Sequence, residues 1–380
     1  MSITSIDNEF VAHSYGRFPV EIEKGKGSIL YSTDNKEYID LTSGIGVTSF
    51  GFNDETWKNA VIEQISKVQH TSNLYYTAPC AELAKLLCEK TGMKKVFFSN
   101  SGAEANECAI KAARKYFNDP NKSTIVTLKN SFHGRTLTTL AATGQDHYHE
   151  LFQPLTPNFT SIENMVELKS IDPTTIAAVM VECIQGEGGV VPIDKELITQ
   201  IREYTQQNDI LMIIDEVQTG NGRTGKFYAY QHYDIMPDIV STAKGLAGGL
   251  PIGATLLSDK VQNVFAPGDH GSTFGGNPVS CAAAFSIVNR LTDEQLQDVT
   301  RKGDKIKAEL QNVPGVTDIT GMGLMIGIKT EKPAKDVVNA LVEKGVLALT
   351  AKDKVRLLPA LNIDDETLDK AIEIIKETVC

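Results

Sequence analysis

No apolar run in this 380-residue chain is long enough to cross a bilayer. The opening Met1-Ser-Ile-Thr-Ser-Ile-Asp-Asn-Glu has neither a basic start nor an apolar stretch, so no secretory signal is expected. Basic charge is also short. Lys+Arg number 37 against 48 Asp+Glu, and the formal net charge of -11 argues against a general binder of nucleic acid or membrane surfaces. Cysteine is scarce. Cys80, Cys88, Cys108, Cys183, Cys281 and Cys380 form no Cys-x-x-Cys pair, which fits free thiols in a reducing cytoplasm. Internal repeats and low-complexity tracts are absent. Metal spacing is missing too: His147-Tyr-His149-Glu150 is not His-Glu-x-x-His, so no metal is expected. Gly220-Asn-Gly-Arg-Thr-Gly225-Lys226 imitates a P-loop, but Phe227 stands where a magnesium-binding hydroxyl is needed.

What remains is an ordinary globular composition, 41% hydrophobic and 22% charged, with length enough for two domains. Residues 28–42 alternate as a β-hairpin turning at Asp34-Asn35. Short apolar runs at 94–99, 123–128, 176–182, 210–214 and 238–241 alternate with helical spacing, including a helix over 103–117. That pattern predicts an α/β fold with a mostly parallel sheet covered on both faces. From about residue 278 the pattern changes to a smaller α+β unit, with strands at 316–321 and 325–329 and helices at 333–344 and 364–378. The expected division is an N-terminal segment 1–48 packing with the small unit, a large domain 49–277, and a small domain 278–380.

Two residues carry the clearest chemistry. Asp215 ends the apolar run Ile210-Leu-Met-Ile-Ile214, and Lys244 lies 29 positions on, just past the run Ile239-Val-Ser. An acid and a lysine after two buried strands can converge on one small ligand. A pyridoxal phosphate enzyme needs that pair: the lysine to form a Schiff base, the carboxylate to keep the pyridine nitrogen protonated. Capping a helix is the other use for Asp215. Gln218, three residues on, would reach the ring's 3′ oxygen. Ser101-Gly102-Ala103 turns from a strand into a helix, where backbone N–H groups suit a phosphate or simply a capped helix. Phe132-His133-Gly134-Arg135 offers an aromatic for a planar ring and an arginine for a carboxylate. Glu187 sits in the glycine-rich Gly186-Glu-Gly-Gly189 after another strand. His270-Gly-Ser272-Thr273 supplies hydroxyls for a phosphate oxygen or only a glycine-rich turn.

In this order, these segments resemble the class III (fold type I) pyridoxal-phosphate-dependent aminotransferases. The likeness runs from about Phe10 to the C-terminus. It rests on 101–107, 132–136, 185–189, Asp215-Glu-Val-Gln-Thr-Gly220, Ala243-Lys-Gly-Leu246 and Gly271-Ser-Thr-Phe-Gly-Gly-Asn-Pro278. It implies a large domain built on a mostly parallel, seven-stranded type of sheet, a smaller α+β domain, and pyridoxal 5′-phosphate as cofactor. It also implies a cytoplasmic homodimer with a shared active site. Lys244 is then the Schiff-base lysine and proton shuttle, and Asp215 the partner of the pyridinium nitrogen. Gln218 touches the 3′ oxygen, Ser101, Gly102 and Ala103 hold the phosphate, and Thr273 reaches the phosphate of the neighbouring subunit. Phe132 and Val217 cover the two ring faces. Arg135, Arg356, Glu187, Tyr15, Ile45 and Ser272 fall to the substrate. Arg135 takes the carboxylate remote from the reacting amine, Arg356 the α-carboxylate of 2-oxoglutarate, and Glu187 gates Arg356.

Within that family the chain is most similar to members that use N2-acetyl-L-ornithine with 2-oxoglutarate. Ornithine δ-aminotransferases carry a tyrosine where Ile45 stands, and the missing hydroxyl leaves room for an acylated amine. Ornithine, succinylornithine, succinyldiaminopimelate and 4-aminobutyrate are the alternative donors. A PLP aminomutase needing no external keto acid, and a non-catalytic PLP-binding protein, are the readings from other classes. Two positions depart from the family pattern: Gly51-Phe-Asn-Asp-Glu replaces a Gly-His segment, and Cys183 replaces a proline.

Overall fold

The structure, a computed structural model, describes residues 2–380. Its centre is a seven-stranded sheet in the spatial order Lys95–Ser99, Gly253–Leu257, Ile239–Thr242, Leu211–Asp215, Ile176–Glu182, Thr124–Leu128, Phe159–Ile162. Gly253–Leu257 runs antiparallel to both neighbours, so six strands point one way and one is reversed. The mostly parallel α/β sheet expected from the sequence is therefore present. The strands Phe159–Ile162 and Gly253–Leu257 were not anticipated: one is flanked by polar residues, and the other is buried in a glycine-rich stretch.

The strands read as apolar runs because both faces are covered. Ile125, Ala178, Met180, Leu211, Ile213 and Ile239 face the helix Gly102–Phe117, whose Ala109, Ala112 and Ala113 allow close approach. Their neighbours Val126, Val179, Val181, Met212, Ile214 and Val240 join the opposite core with Ile198 and Ile201 of helix Lys195–Gln207. This is the period-2 alternation of a strand buried on both sides. The helix Pro278–Val288 packs on Glu55–Lys67 and on Ala78–Thr91.

Two four-stranded sheets and a two-stranded pair, Ile184–Gln185 with Val191–Pro192, complete the set. In the first, Ile22–Lys26, Ile29–Ser32 and Glu37–Asp40 form a meander, and Val346–Leu347 pairs parallel with Glu37–Asp40. The second joins Val316–Met322, Met325–Thr330, Lys354–Leu357 and Leu349–Ala351. Among the described residues no helix is long and apolar enough to cross a membrane.

Candidate active site

Register brings the chemistry to one edge of the large sheet. Asp215 pairs across the ladder with Glu182 on one side and Ser241 on the other, all at carboxyl ends of parallel strands. Open α/β sheets bind ligands at that edge. Lys244 follows two residues after Thr242, with φ at +45°, a strained backbone for a residue with a side chain. A cavity of about 420 Å³ opens here. Its walls include Ser101, Gly102, Ala103, Phe132, Arg135, Asp215, Val217, Gln218 and Lys244, nine of the residues expected from the sequence.

The cradle is built as the turn chemistry requires. Ser101 is the N-cap of Gly102–Phe117, its hydroxyl accepting the Glu104 N–H at 3.2 Å. A Cβ on Gly102 would lie 2.6 Å from Val217 Cγ1, so only glycine lets the cradle close against Val217. Asp215 is 3% exposed and fully engaged. It accepts from His133 Nδ1 and Asn106 Nδ2 at 2.8 Å each and from the Val217 N–H at 2.9 Å. These three donors fix the carboxylate in place. His133 Nε2 and Asn106 Oδ1 are buried without a partner among the described residues. Burial opposes a charged His133, yet the bond to Asp215 outweighs it and raises the imidazole's pKa. Glu182 accepts the Phe132 N–H at 2.9 Å and the Gly186 N–H at 3.3 Å, tying the Phe132 turn to the Glu187 loop. Burial pushes its carboxyl up to about 7.

Burial likewise lowers the pKa of the Lys244 amine; Glu187 opposes this and Arg356 adds to it. A lysine held below its ordinary range is more readily neutral, the form that acts as nucleophile and base. Glu187 and Arg356 meet at 2.6 Å. The same Arg356 Nη1 donates to Gln218 Oε1 at 3.1 Å, while Arg356 Nε is buried with no partner. Burial would raise Glu187, but Arg356 overcomes that and lowers its carboxyl. Arg356 lies in the strand Lys354–Leu357, paired with Gly327 and Leu349 on its two sides, so its position is rigid.

Other expected residues stand away from the cavity in this chain. Ile45 is 43% exposed in a left-handed turn, Ser43–Gly46, where all four φ values are positive; Val47, just after it, lines the cavity. Ser272 accepts from Asn100 Nδ2 at 3.1 Å, and Thr273 is exposed on the adjoining loop. Tyr15 is exposed, with Arg17 over its ring. Residues not assigned a role from the sequence are Val47, Asn106, His133 and Glu182. Asn106 and His133 stand inside the quoted motifs and Glu182 ends the run 176–182, and only the fold shows that their side chains converge. Among the described residues no group of His, Cys, Asp and Glu is placed to hold a metal.

The class-III aminotransferase profile matches residues 10–379. The chain belongs to the class-III aminotransferases. It is 49% identical over 385 residues to the acetylornithine aminotransferase of Haemophilus ducreyi, covering 99% of this chain and 98% of that protein. Among solved structures it is similar to the N-acetylornithine aminotransferase of Stenotrophomonas maltophilia, with 32% identity, TM-score 0.86, and 99% and 98% of the two chains covered. It is also similar to a Toxoplasma gondii ornithine aminotransferase described with PLP in partial occupancy at its active site (32% identity, TM-score 0.93, 99% and 93% covered). Aminotransferases of this class use pyridoxal 5′-phosphate, and the cavity fits it: a helix N-terminus for the phosphate, Phe132 and Val217 beside the space for a ring, and the Asp215 carboxylate and Lys244 amine on its walls.

One acid beside the site bears on stability instead. Glu216 is fully buried, bonded to the Thr219 hydroxyl and to the Tyr230 N–H at 2.9 Å. Burial raises it from 4.5 to about 7. The native state therefore holds a proton that the unfolded chain releases between these values, and stability falls as pH rises through that window. The gap amounts to about 3 kcal/mol. Glu216→Gln should flatten the loss of denaturation stability between pH 5 and pH 8 by up to that amount. Parallel pH profiles for variant and wild type would contradict it.

Proposed function

We propose that this chain transfers the amine of N2-acetyl-L-ornithine to 2-oxoglutarate, giving N-acetyl-L-glutamate 5-semialdehyde and L-glutamate, a step of arginine metabolism. The observation that carries this reading is the Glu187–Arg356 pair beside Lys244. A transaminase of this kind must accept a donor with no carboxylate next to the reacting carbon, then a diacid that has one. An arginine masked by a glutamate serves both. Paired, it presents no free cation to the donor. Released, its guanidinium takes the α-carboxylate of 2-oxoglutarate with two parallel hydrogen bonds. Arg135, at the cavity wall, takes the carboxylate far from the reacting amine in both substrates. The name and near-complete coverage of the Haemophilus relative support the acetylated donor.

When bound, pyridoxal phosphate supplies the carbonyl that takes the amine and the ring that spreads the electron pair left on the substrate carbon. The chain's residues do the rest. Ser101, Gly102 and Ala103 receive the phosphate at the helix N-terminus. Asp215, fixed by His133, Asn106 and Val217 N–H, would hold the pyridine nitrogen and its proton. Gln218 would address the 3′ oxygen, and Phe132 and Val217 would hold the ring. Lys244 Nζ would take the proton from the substrate carbon that bears the amine.

The reading includes a cytoplasmic homodimer, to which the free thiols are suited. Thr273 is exposed, and Asn73 Nδ2 binds the carbonyls of Ser272 and Gly275 at 2.9 Å. Exposed Phe274 and exposed Leu74, Tyr75 and Tyr76 thus stand on two loops tied together at the surface. A second copy covering that surface would receive Thr273 at its phosphate.

A donor screen on the PLP-loaded protein, following glutamate formation, tests the reading. N2-acetylornithine should exceed ornithine, succinylornithine and 4-aminobutyrate in kcat/KM by about tenfold or more. Preference for free ornithine or 4-aminobutyrate would discard the substrate assignment and keep the Lys244 chemistry. Turnover without 2-oxoglutarate would indicate an aminomutase.

A further inference from the structure

Arg135 is exposed and, among the described residues, takes part in no ion pair. Its guanidinium instead lies over two aromatic rings, 4.2 Å from the Tyr148 centroid and 5.3 Å from that of Phe132. The rings meet edge to face at 5.7 Å with an interplanar angle of 69°. An unpaired arginine on a surface has many rotamers, and holding it in one costs side-chain entropy each time a ligand binds. Stacking on a ring face removes much of that freedom in advance and leaves the N–H edge of the guanidinium open for a carboxylate.

Tyr148 is itself firmly placed. It ends the short turn Asp146–Tyr148, and its N–H donates to the Gln145 carbonyl at 3.1 Å. Gln145 is buried and its side chain donates to the Ser131 carbonyl at 3.1 Å, next to Phe132. The Asn130 N–H donates to the Gly144 carbonyl at 2.7 Å, and the Gly144 N–H to Ser131 Oγ at 3.0 Å. His149 Nε2 lies 2.9 Å from the Leu140 carbonyl and 2.8 Å from that of Thr143. The turn that carries Tyr148 and the turn that carries Phe132 and Arg135 are thus one hydrogen-bonded unit. A ring that merely covered surface would not need that connection to the cavity wall.

We propose that Tyr148 is a positioning residue that stacks Arg135 into the orientation in which it receives the substrate carboxylate remote from the reacting amine. It sets specificity for substrates that bear that carboxylate. The inference rests on the reading of Arg135 given above and adds to it the residue that makes the arginine ready.

The test uses the PLP-loaded enzyme and compares two donors that differ only in that carboxylate, N2-acetylornithine and N-acetylputrescine. In wild type the ratio of their kcat/KM values favours N2-acetylornithine. Tyr148→Leu and Tyr148→Gln, which lack a π face, should lower that ratio by about tenfold through KM of the carboxylate-bearing donor. Tyr148→Phe keeps the face and should restore the ratio. General damage to the fold would lower both donors together and leave the ratio unchanged. An unchanged ratio in both ring-less variants overturns the proposal, as does a Tyr148→Phe ratio as low as theirs. The same comparison of 2-oxoglutarate with pyruvate, which lacks the remote carboxylate, tests Tyr148 whichever donor the enzyme prefers. A wild-type enzyme inactive on N2-acetylornithine would therefore refute the donor assignment without deciding the role of Tyr148.

Discussion

Lys244→Ala is expected to abolish turnover, by about 10⁴-fold or more, while the protein still binds pyridoxal phosphate. The two halves of that outcome come from different parts of the site. In the proposed arrangement phosphate binding depends on the N-terminus of Gly102–Phe117, and the ring's seat on Phe132, Val217 and the fixed Asp215; the substitution touches none of them. Proton transfer depends on one amine. Among the described residues no other lysine lines the cavity, and His133, the imidazole on its wall, is committed through Nδ1 to Asp215. The variant should show no burst of product on mixing with donor, and its bound cofactor should be released by dialysis more readily than that of wild type. Normal turnover would refute the assignment of Lys244. Loss of cofactor binding altogether would instead mean that the covalent link, and not the cradle, holds it.

Much of this site was legible because its residues sit in short segments at strand ends. Asp215 was readable as an acid terminating five apolar residues, since burying an unpaired carboxylate is costly. Glycines around Lys244 and Glu187 marked loops, and parallel strands place such loops at one edge. Arg356 had no such local signal. It lies in a four-residue strand, Lys354–Leu357, that is buried throughout although it reads Lys-Val-Arg-Leu. Alternating charge suggested neither a strand nor a core. The strand exists because Met325–Thr330 and Leu349–Ala351 flank it, a tertiary fact. Gly253–Leu257 escaped for the converse reason. Its Gly-Ala-Thr-Leu-Leu has weak strand preference and is held by Lys95–Ser99 and Ile239–Thr242. The convergence of Glu182, His133 and Asn106 around Asp215 depends on register, which no single segment records.

Arg356→Leu should split the two half-reactions. For 2-oxoglutarate, kcat/KM is expected to fall by about 10²- to 10³-fold, the range found when one partner of a buried charge pair is truncated. For the amino donor the fall should be far smaller, because in the proposed cycle the arginine is then masked by Glu187, with which it pairs here. A sign can also be assigned to the pH profile. Arg356 lowers the Lys244 pKa and Glu187 raises it. Removing the arginine therefore lets the Lys244 amine keep its proton to higher pH, and the acid limb of donor turnover moves up. Glu187→Gln removes the opposing charge and should move that limb down, while leaving 2-oxoglutarate an unmasked Arg356. Measuring each half-reaction separately across pH distinguishes these cases. Equal losses for donor and acceptor in Arg356→Leu would show the arginine to be structural, and a limb that moved the same way in both variants would show that the pair does not tune Lys244. Opposite shifts, with the acceptor alone crippled by Arg356→Leu, are what one site alternating between a donor and a diacid requires.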